Sequence, residues 1–330
     1  MLSPSLTPIP AVACAAACLT AAVTVGGVFS VWGTTAVPAA AWAIAAALAV
    51  AAEMGCRAAG GLTDPAVAAA ARLAVVSLSL CPAMSLFGAK RPQHGVWQLI
   101  VATLAVVLVM PAASALLIRP GSLPDVHLIE RCFMPLLVLV GWMNFAGTRR
   151  AGAATCAAIG QLLLLRAFLP GVATDQVSTA AGAEVFDATA VGLVLLGVTL
   201  AAALAWRRSP AGPAGPAGPA GHLINMADAI NRPFLALRET LGAAWTLRIA
   251  ERFNTVAATR GWPCRLRFGG FESGGDPADT FWHRDALRAF QALARRFVTD
   301  IWLARHGWPA TLATTEAATP IEAAHRKEPA

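Results

Sequence analysis

The first 208 residues consist of apolar stretches separated by short polar connections. A transmembrane helix needs about 20 consecutive apolar residues. Stretches of that length lie at 11–32, 36–55, 69–88, 97–118, 129–147, 151–168 and 188–206. The whole chain is 13% charged, whereas a soluble globular protein has about 25%. We therefore expect an all-α membrane protein with about seven transmembrane helices; six is the alternative count, because the fifth and sixth stretches are short.

Residues 209–221 read SPAGPAGPAGPAG and divide the chain by composition. Proline lacks a backbone donor and glycine brings no side chain to a core, so this segment predicts a semi-rigid linker. Three triplets are too few for a collagen triple helix. After the linker we expect a small α-rich domain at 222–312 with one short strand or hairpin, and a disordered tail at 313–330.

The placement of basic residues predicts the orientation of the spans. Short cytoplasmic loops of membrane proteins carry an excess of lysine and arginine. In this chain the basic pairs lie in alternate connections, at Lys90/Arg91, Arg149/Arg150 and Arg207/Arg208. The other connections hold single arginines among carboxylates. This asymmetry predicts a bacterial inner-membrane protein with its N-terminus outside and its C-terminal domain in the cytoplasm.

The connection between the third and fourth stretches is the most distinctive of the membrane half. It predicts a tight turn in which basic side chains meet headgroups and a tryptophan starts the next span at the interface. We interpret it as a membrane anchor, with docking of the soluble domain or of a phosphate-bearing ligand as the functional alternative. Its candidate residues are Lys90, Arg91, Pro92, Gln93 and Trp97.

Two motifs of this half carry a resemblance. The segment GAKRPQ is followed by Trp97, and a later segment reads GWMNFAGTRR up to Arg150. These residues resemble uncharacterised polytopic bacterial membrane proteins that have a GA[KR]RP…W loop element and an N-[FY]-x-x-T-R element. The similarity covers residues 75–150. It implies a membrane protein of unknown role and brings no activity.

Polar residues are scarce in the predicted spans. The arginines Arg72 and Arg166 and the carboxylate Glu53 lie near span ends, where we expect the arginines to snorkel to the interface. The polar candidates for the bundle interior are Asn144, Gln161 and Arg166. No histidine falls in a span, and neither HExxH nor a GxSG-type serine motif occurs. We therefore expect no catalytic residue, no metal and no cofactor.

The sequence of the C-terminal domain predicts two long helices with a strand at 264–268 between them. The first helix, over 234–260, has an apolar stripe at Leu241, Trp245, Ile249, Phe253 and Val256. The second, from Asp279 or Thr280 to Arg305, has its stripe at Phe281, Leu287, Phe290, Leu293, Phe297 and Ile301. The candidate basic surface is Arg248, Arg252, Arg284, Arg288, Arg295 and Arg296.

That basic surface has two interpretations, a solvated face and attraction to anionic lipid headgroups. Nucleic acid is not an expected partner, because acidic residues are interspersed and no binding motif occurs. For the whole chain we expect a non-enzymatic scaffold or accessory subunit of a membrane complex, with a protein partner and the bilayer as its surroundings. The alternative is a permease or channel for a small solute with a cytoplasmic gating domain. An enzyme acting on an anionic lipid-linked substrate is the third hypothesis.

Overall fold

The computed structural model describes residues 8–88, 94–171, 180–207, 226–274 and 281–309. Seven of the described helices have the length and apolar composition of membrane spans. This confirms the predicted all-α fold and the count of seven. Seven such helices are what a multi-pass integral membrane protein requires. They are α1 Pro8–Val31, α2 Val37–Ala58, α3 Pro65–Phe87, α4 His94–Leu117, α5 Leu128–Ala146, α6 Ala151–Leu165 and α7 Ala180–Trp206. A 3-10 turn, Arg166–Phe168, follows α6.

Most boundaries lie within a few residues of the prediction, and the beginning of α7 is the exception. We expected this span to begin at 188, with Glu184 and Asp187 in the connection before it. The helix begins at Ala180, so both carboxylates lie inside it. Asp187 is tolerated there because it is buried against arginines of other helices.

The bundle is organised around α3, which is the most buried of the seven helices. It contacts α2, α4, α5 and α6, while α7 contacts α1 and α6. Leu73, Val76 and Leu80 of α3 are fully buried in the main apolar core. Leucine and valine side chains on the outer faces of other helices are exposed, for example Leu117 at 81%. Such apolar outer faces are compatible with the hydrocarbon core of a lipid bilayer.

Two glycines allow α6 and α7 to approach closely. A Cβ atom on Gly160 would lie 2.7 Å from the Ala190 oxygen, and one on Gly197 would lie 2.7 Å from the Ala153 oxygen. Real Cβ atoms do not approach other atoms that closely, so larger residues would push the helices apart. Small residues at a helix interface are the usual way in which membrane helices pack tightly.

The chain divides into two compact units, and one short segment that follows the linker in the sequence belongs to the first unit. The first unit is Met1–Ser209 together with Leu237–Thr246, and the second is Pro210–Ala236 together with Leu247–Ala330. The helices α8 Met226–Leu241 and α9 Ala243–Arg260 replace the single helix predicted over 234–260. Gly242 separates them with a φ of +80°, a conformation that favours glycine. Pro233 lies inside α8.

The second unit has an aromatic core and one hairpin. Strands β1 Cys264–Arg267 and β2 Gly270–Ser273 pair in antiparallel register, which confirms the predicted hairpin. Phe253 is fully buried and meets Phe271 and Phe290 edge to face at 6.1 and 6.5 Å. The predicted linker and tail lie outside the described residues.

The prediction of a second long, continuous helix up to Arg305 is wrong. The region is divided into α10 His283–Ala294 and α11 Asp300–Arg305, because Thr299 begins a new helix by accepting a hydrogen bond from the Trp302 N–H. The interruption changes the phase of the apolar stripe. Ile301, in α11, is consequently 69% exposed, and Phe281, which precedes the beginning of α10, is 82% exposed.

Candidate functional site

The turn that joins α8 to α9, residues 241–245, is called the elbow below and belongs to the first unit. Asn144, near the end of α5, holds it from both sides. Its Nδ2 donates to the Leu241 oxygen at 3.0 Å, and its Oδ1 accepts from the Ala244 N–H at 2.9 Å. Gly242 offers no side chain to cap α9, so Asn144 supplies the capping oxygen from another helix. A Cβ on Gly242 would overlap the Asn144 amide.

Further bonds fix the elbow to the end of α3 and to the α5–α6 turn. The Trp245 Nε1–H donates to the Leu86 oxygen at 2.8 Å, which satisfies one of the free carbonyls at the end of α3. Glu239, in the last turn of α8, accepts from the Arg149 N–H at 3.1 Å and pairs with Arg238 at 3.1 Å. The Glu239 side chain is only 1% exposed. The elbow is therefore an integral part of the membrane unit.

The structure does not bring the three predicted polar bundle residues together. Asn144 is used by the elbow. Gln161, in α6, donates to the Ser79 oxygen of α3 at 2.8 Å. Arg166, in the 3-10 turn, bonds to Asp187 and to the backbone oxygens of Leu163 and Ala183. All three side chains hold helices or turns in place.

A group of charges that sequence reasoning missed lies near the other end of the bundle. This buried charge cluster comprises Glu53, Arg57, Arg72, Arg166 and Asp187, from four separate helical segments. Arg72 is its centre. The Arg72 guanidinium makes a two-pronged contact with Asp187, at 2.9 and 2.8 Å, and its Nε donates to Glu53 Oε1 at 2.7 Å.

The two outer arginines complete the cluster. Arg166 meets Asp187 at 2.6 Å, and Arg57 meets Glu53 at 3.0 Å; their side chains are 25% and 32% exposed. The Arg72 side chain is 6% exposed, so the snorkelling interpretation is wrong for this residue. Glu53 Oε1 takes bonds from two arginines, while its buried Oε2 has no hydrogen-bond partner in the described part of the chain.

The spacing of Glu53 and Arg57, four residues apart at a helix end, was the available sequence signal for this cluster. In the structure Arg72 and Asp187 each lie two turns inside a helix from the same side of the bundle. Their burial at such a depth requires paired charges. Among the described residues no group of three or more His, Cys, Asp or Glu side chains is placed to hold a metal ion.

The predicted docking loop is only partly described. Lys90, Arg91, Pro92 and Gln93 lie outside the described residues. Trp97 packs directly on Gly88, and its Nε1–H donates to the Met84 oxygen at 2.8 Å. Its indole therefore closes the end of α3.

The predicted basic residues lie on α9 and α10 and in the turn after α10. Arg248, Arg252, Arg284, Arg288 and Arg296 are exposed, and Arg295 is half-buried and pairs with Asp300 at 2.9 Å. A groove of about 650 Å³ runs between α9 and β1 in the second unit. Burial raises the pKa of the Cys264 thiol, at the beginning of β1, to about 11.

Comparison with known proteins finds no relative of this chain. No family model matches the chain, and neither the curated proteins nor the solved structures contain a match.

Proposed function

We propose that this integral membrane protein acts by binding, as a non-enzymatic scaffold or accessory subunit of a membrane complex. The elbow is the observation that carries the proposal. The segment 237–246 is built into the membrane unit by Asn144, Leu86 and Arg149, and the chain on both sides of it belongs to the second unit. A segment fixed in this way, with the second unit before and after it in the chain, suits a protein that presents the second unit to a partner.

We further propose that the elbow lies on the cytoplasmic side of the inner membrane and that the N-terminus lies outside. The basic pair Arg149/Arg150 follows α5, directly beside the elbow contact at Arg149. Arg207 follows α7, which ends at the same side of the bundle as α5 and α3. Reporter fusions after residues 118 and 208 test this: alkaline phosphatase is expected to be active after the first and green fluorescent protein to fluoresce after the second. The reverse pattern contradicts it.

Affinity purification of the full-length chain in mild detergent, followed by mass spectrometry, tests the scaffold role. We expect recurrent partner proteins that also recover this chain when they are themselves tagged. Asn144→Ala should release those partners because it frees the elbow. Gln161→Ala is the matched control, since it removes a bundle amide that does not touch the elbow. Repeated isolation of a lone homogeneous protein contradicts the role.

The buried charge cluster favours a second candidate, a permease or channel for a small solute with a cytoplasmic gating domain. Ionisable residues at depth in a bundle frequently mark solute or proton pathways, and one buried carboxylate oxygen of Glu53 accepts no hydrogen bond from the residues that the structure describes. Thermal-shift screening of the purified chain against small solutes tests this candidate. A solute-induced stabilisation that disappears in Glu53→Gln supports it. Shifts that survive this substitution place binding elsewhere and count against it.

A further inference from the structure

The groove between α9 and β1 combines an apolar floor with a basic rim. Along β1 the side chains alternate, so that Leu266 is buried while Arg265 and Arg267 are both exposed on the opposite face. The α9 wall includes Leu247, which is 51% exposed, together with Ala250 and Glu251. An exposed leucine beside two arginines forms an amphipathic surface.

The wall of the groove is rigid where the two elements meet. Asn254 of α9 clamps β1, because its Nδ2 donates to the Leu266 oxygen at 2.8 Å and its Oδ1 accepts from the Leu266 N–H at 2.7 Å. β1 is also paired with β2 along its whole length. The arginines of β1 therefore project from a preorganised strand, which reduces the entropy lost when they bind a ligand.

The charges around the groove favour an anion. Arg248 and Arg252 follow the groove residues Leu247 and Glu251 directly in the sequence of α9, and they are both exposed. The nearby carboxylates are Glu251 on α9 and Glu272 on β2, and Glu272 pairs with Arg267 at 2.8 Å. Among the residues that line the groove, two arginines, Arg265 and Arg267, stand against one carboxylate, Glu251. The described residues of the second unit contain eleven arginines and five carboxylates, so this excess extends over the unit.

We propose that this groove binds the headgroup of an anionic phospholipid. The phosphate would be held by Arg265 and Arg267, and the glycerol and upper acyl region would cover Leu247 and Phe268. A free phosphate ion accounts for the arginines alone, whereas a phospholipid also accounts for the exposed leucine. The second unit is joined by the chain to a membrane span, so lipid headgroups are present at a high effective concentration even for a weak site. The inference does not depend on the scaffold role.

Photo-crosslinking of the full-length chain tests the proposal. The variant Leu247→p-benzoylphenylalanine would be reconstituted in nanodiscs of equimolar phosphatidylglycerol and phosphatidylcholine, and the crosslinked lipid identified by mass spectrometry. The same photo-reactive residue at Ile301, exposed on α11, is the control position. We expect phosphatidylglycerol to be the main adduct at position 247. Its excess over phosphatidylcholine should exceed the excess found at position 301.

Two charge variants separate a defined site from general attraction. Arg265→Gln/Arg267→Gln should reduce the adduct about 30-fold, since each basic residue near a membrane surface contributes about 1 kcal/mol. Arg284→Gln/Arg288→Gln removes the same charge from α10 and should leave the adduct unchanged. Equal losses in both variants, equal labelling by the two lipids, absence of any lipid adduct, or displacement of the adduct by millimolar inorganic phosphate would each overturn the proposal.

Discussion

The two hydrogen bonds of Asn144 are expected to determine the local stability of the elbow. Asn144→Ala removes the donor to the Leu241 oxygen and the acceptor of the Ala244 N–H. Leu241 is fully buried and Asn144 is 5% exposed, so the Leu241 oxygen is left without a partner, while Ala244 is half-buried and can partly turn to water. An unsatisfied buried group costs about 1–3 kcal/mol. We expect a total loss of about 2–4 kcal/mol in the free energy of opening the elbow.

Gly242→Ala provides the second arm of a double-mutant cycle. Its cost has three parts: the φ of +80°, which costs alanine about 1–2 kcal/mol, the overlap of the new Cβ with the Asn144 side-chain amide, and its 2.6 Å approach to the backbone oxygen of residue 144. The overlap with the side-chain amide disappears when residue 144 is alanine, whereas the backbone conformation and the approach to the backbone oxygen remain. The double variant should therefore be less destabilised than the sum of the single variants, with a coupling energy of about 1–3 kcal/mol.

Hydrogen exchange followed by mass spectrometry on a peptide that covers the elbow is the direct assay, because the Ala244 amide is itself a bonded group. A loss of 2–4 kcal/mol corresponds to exchange that is about 30- to 1,000-fold faster. Gln161→Ala should leave this peptide unchanged. Strictly additive effects of Asn144→Ala and Gly242→Ala, or unchanged exchange in Asn144→Ala, would refute the assignment of Asn144 as the cap of α9.

Three further outcomes are expected. Arg72→Met should destabilise the bundle by about 3–5 kcal/mol in mixed-micelle unfolding, since it leaves buried carboxylates without their central partner; a loss below 1 kcal/mol contradicts this. Gly88→Ala should cost about 1–3 kcal/mol because its Cβ overlaps Trp97, whereas Gly95→Ala, which meets no atom within 4 Å, should be neutral; similar effects of the two disagree with the packing. Cys264, with its pKa raised from near 9 to about 11, should be alkylated about 100-fold more slowly at pH 8 than in the SDS-unfolded chain, and its rate should rise with pH until about 11; equal rates contradict its burial.

Hydropathy predicted the membrane bundle because length and apolar composition are local properties of the chain. The beginning of α7 was misplaced for the opposite reason. Asp187 has the composition of a connection, and only the arginine that reaches it from α3 makes it compatible with a helix interior. Pairing between spans depends on which helices are neighbours, and the sequence alone does not specify this.

The elbow was hidden by its own regular pattern. Leu241, Trp245, Ile249 and Phe253 continue one apolar stripe across Gly242, and all four are buried, as the helical spacing predicts. The break arises from contacts with Asn144, which lies about a hundred residues earlier in the chain. A glycine inside an apolar stripe was the one local signal. The same weakness explains Ile301, since an interruption after α10 changed the phase of a stripe that was read as continuous, whereas Phe281 lies before the beginning of α10.

Removing the central ion pair of the cluster as a whole distinguishes the two candidate functions. Glu53→Leu/Arg72→Met deletes one carboxylate and one guanidinium, so the remaining Arg57, Arg166 and Asp187 keep the same net charge. A buried ion pair is often replaced by apolar residues with little loss, whereas removal of one partner is costly. The double variant should therefore be more stable than Arg72→Met alone in mixed-micelle unfolding. If the double variant is more stable and still retains its partner proteins, the charge cluster serves only to hold the helices together, as a scaffold requires. Loss of a solute-induced thermal shift in the same stable variant indicates that the charges bind solute. A double variant less stable than Arg72→Met would refute the description of Glu53 and Arg72 as a coupled pair.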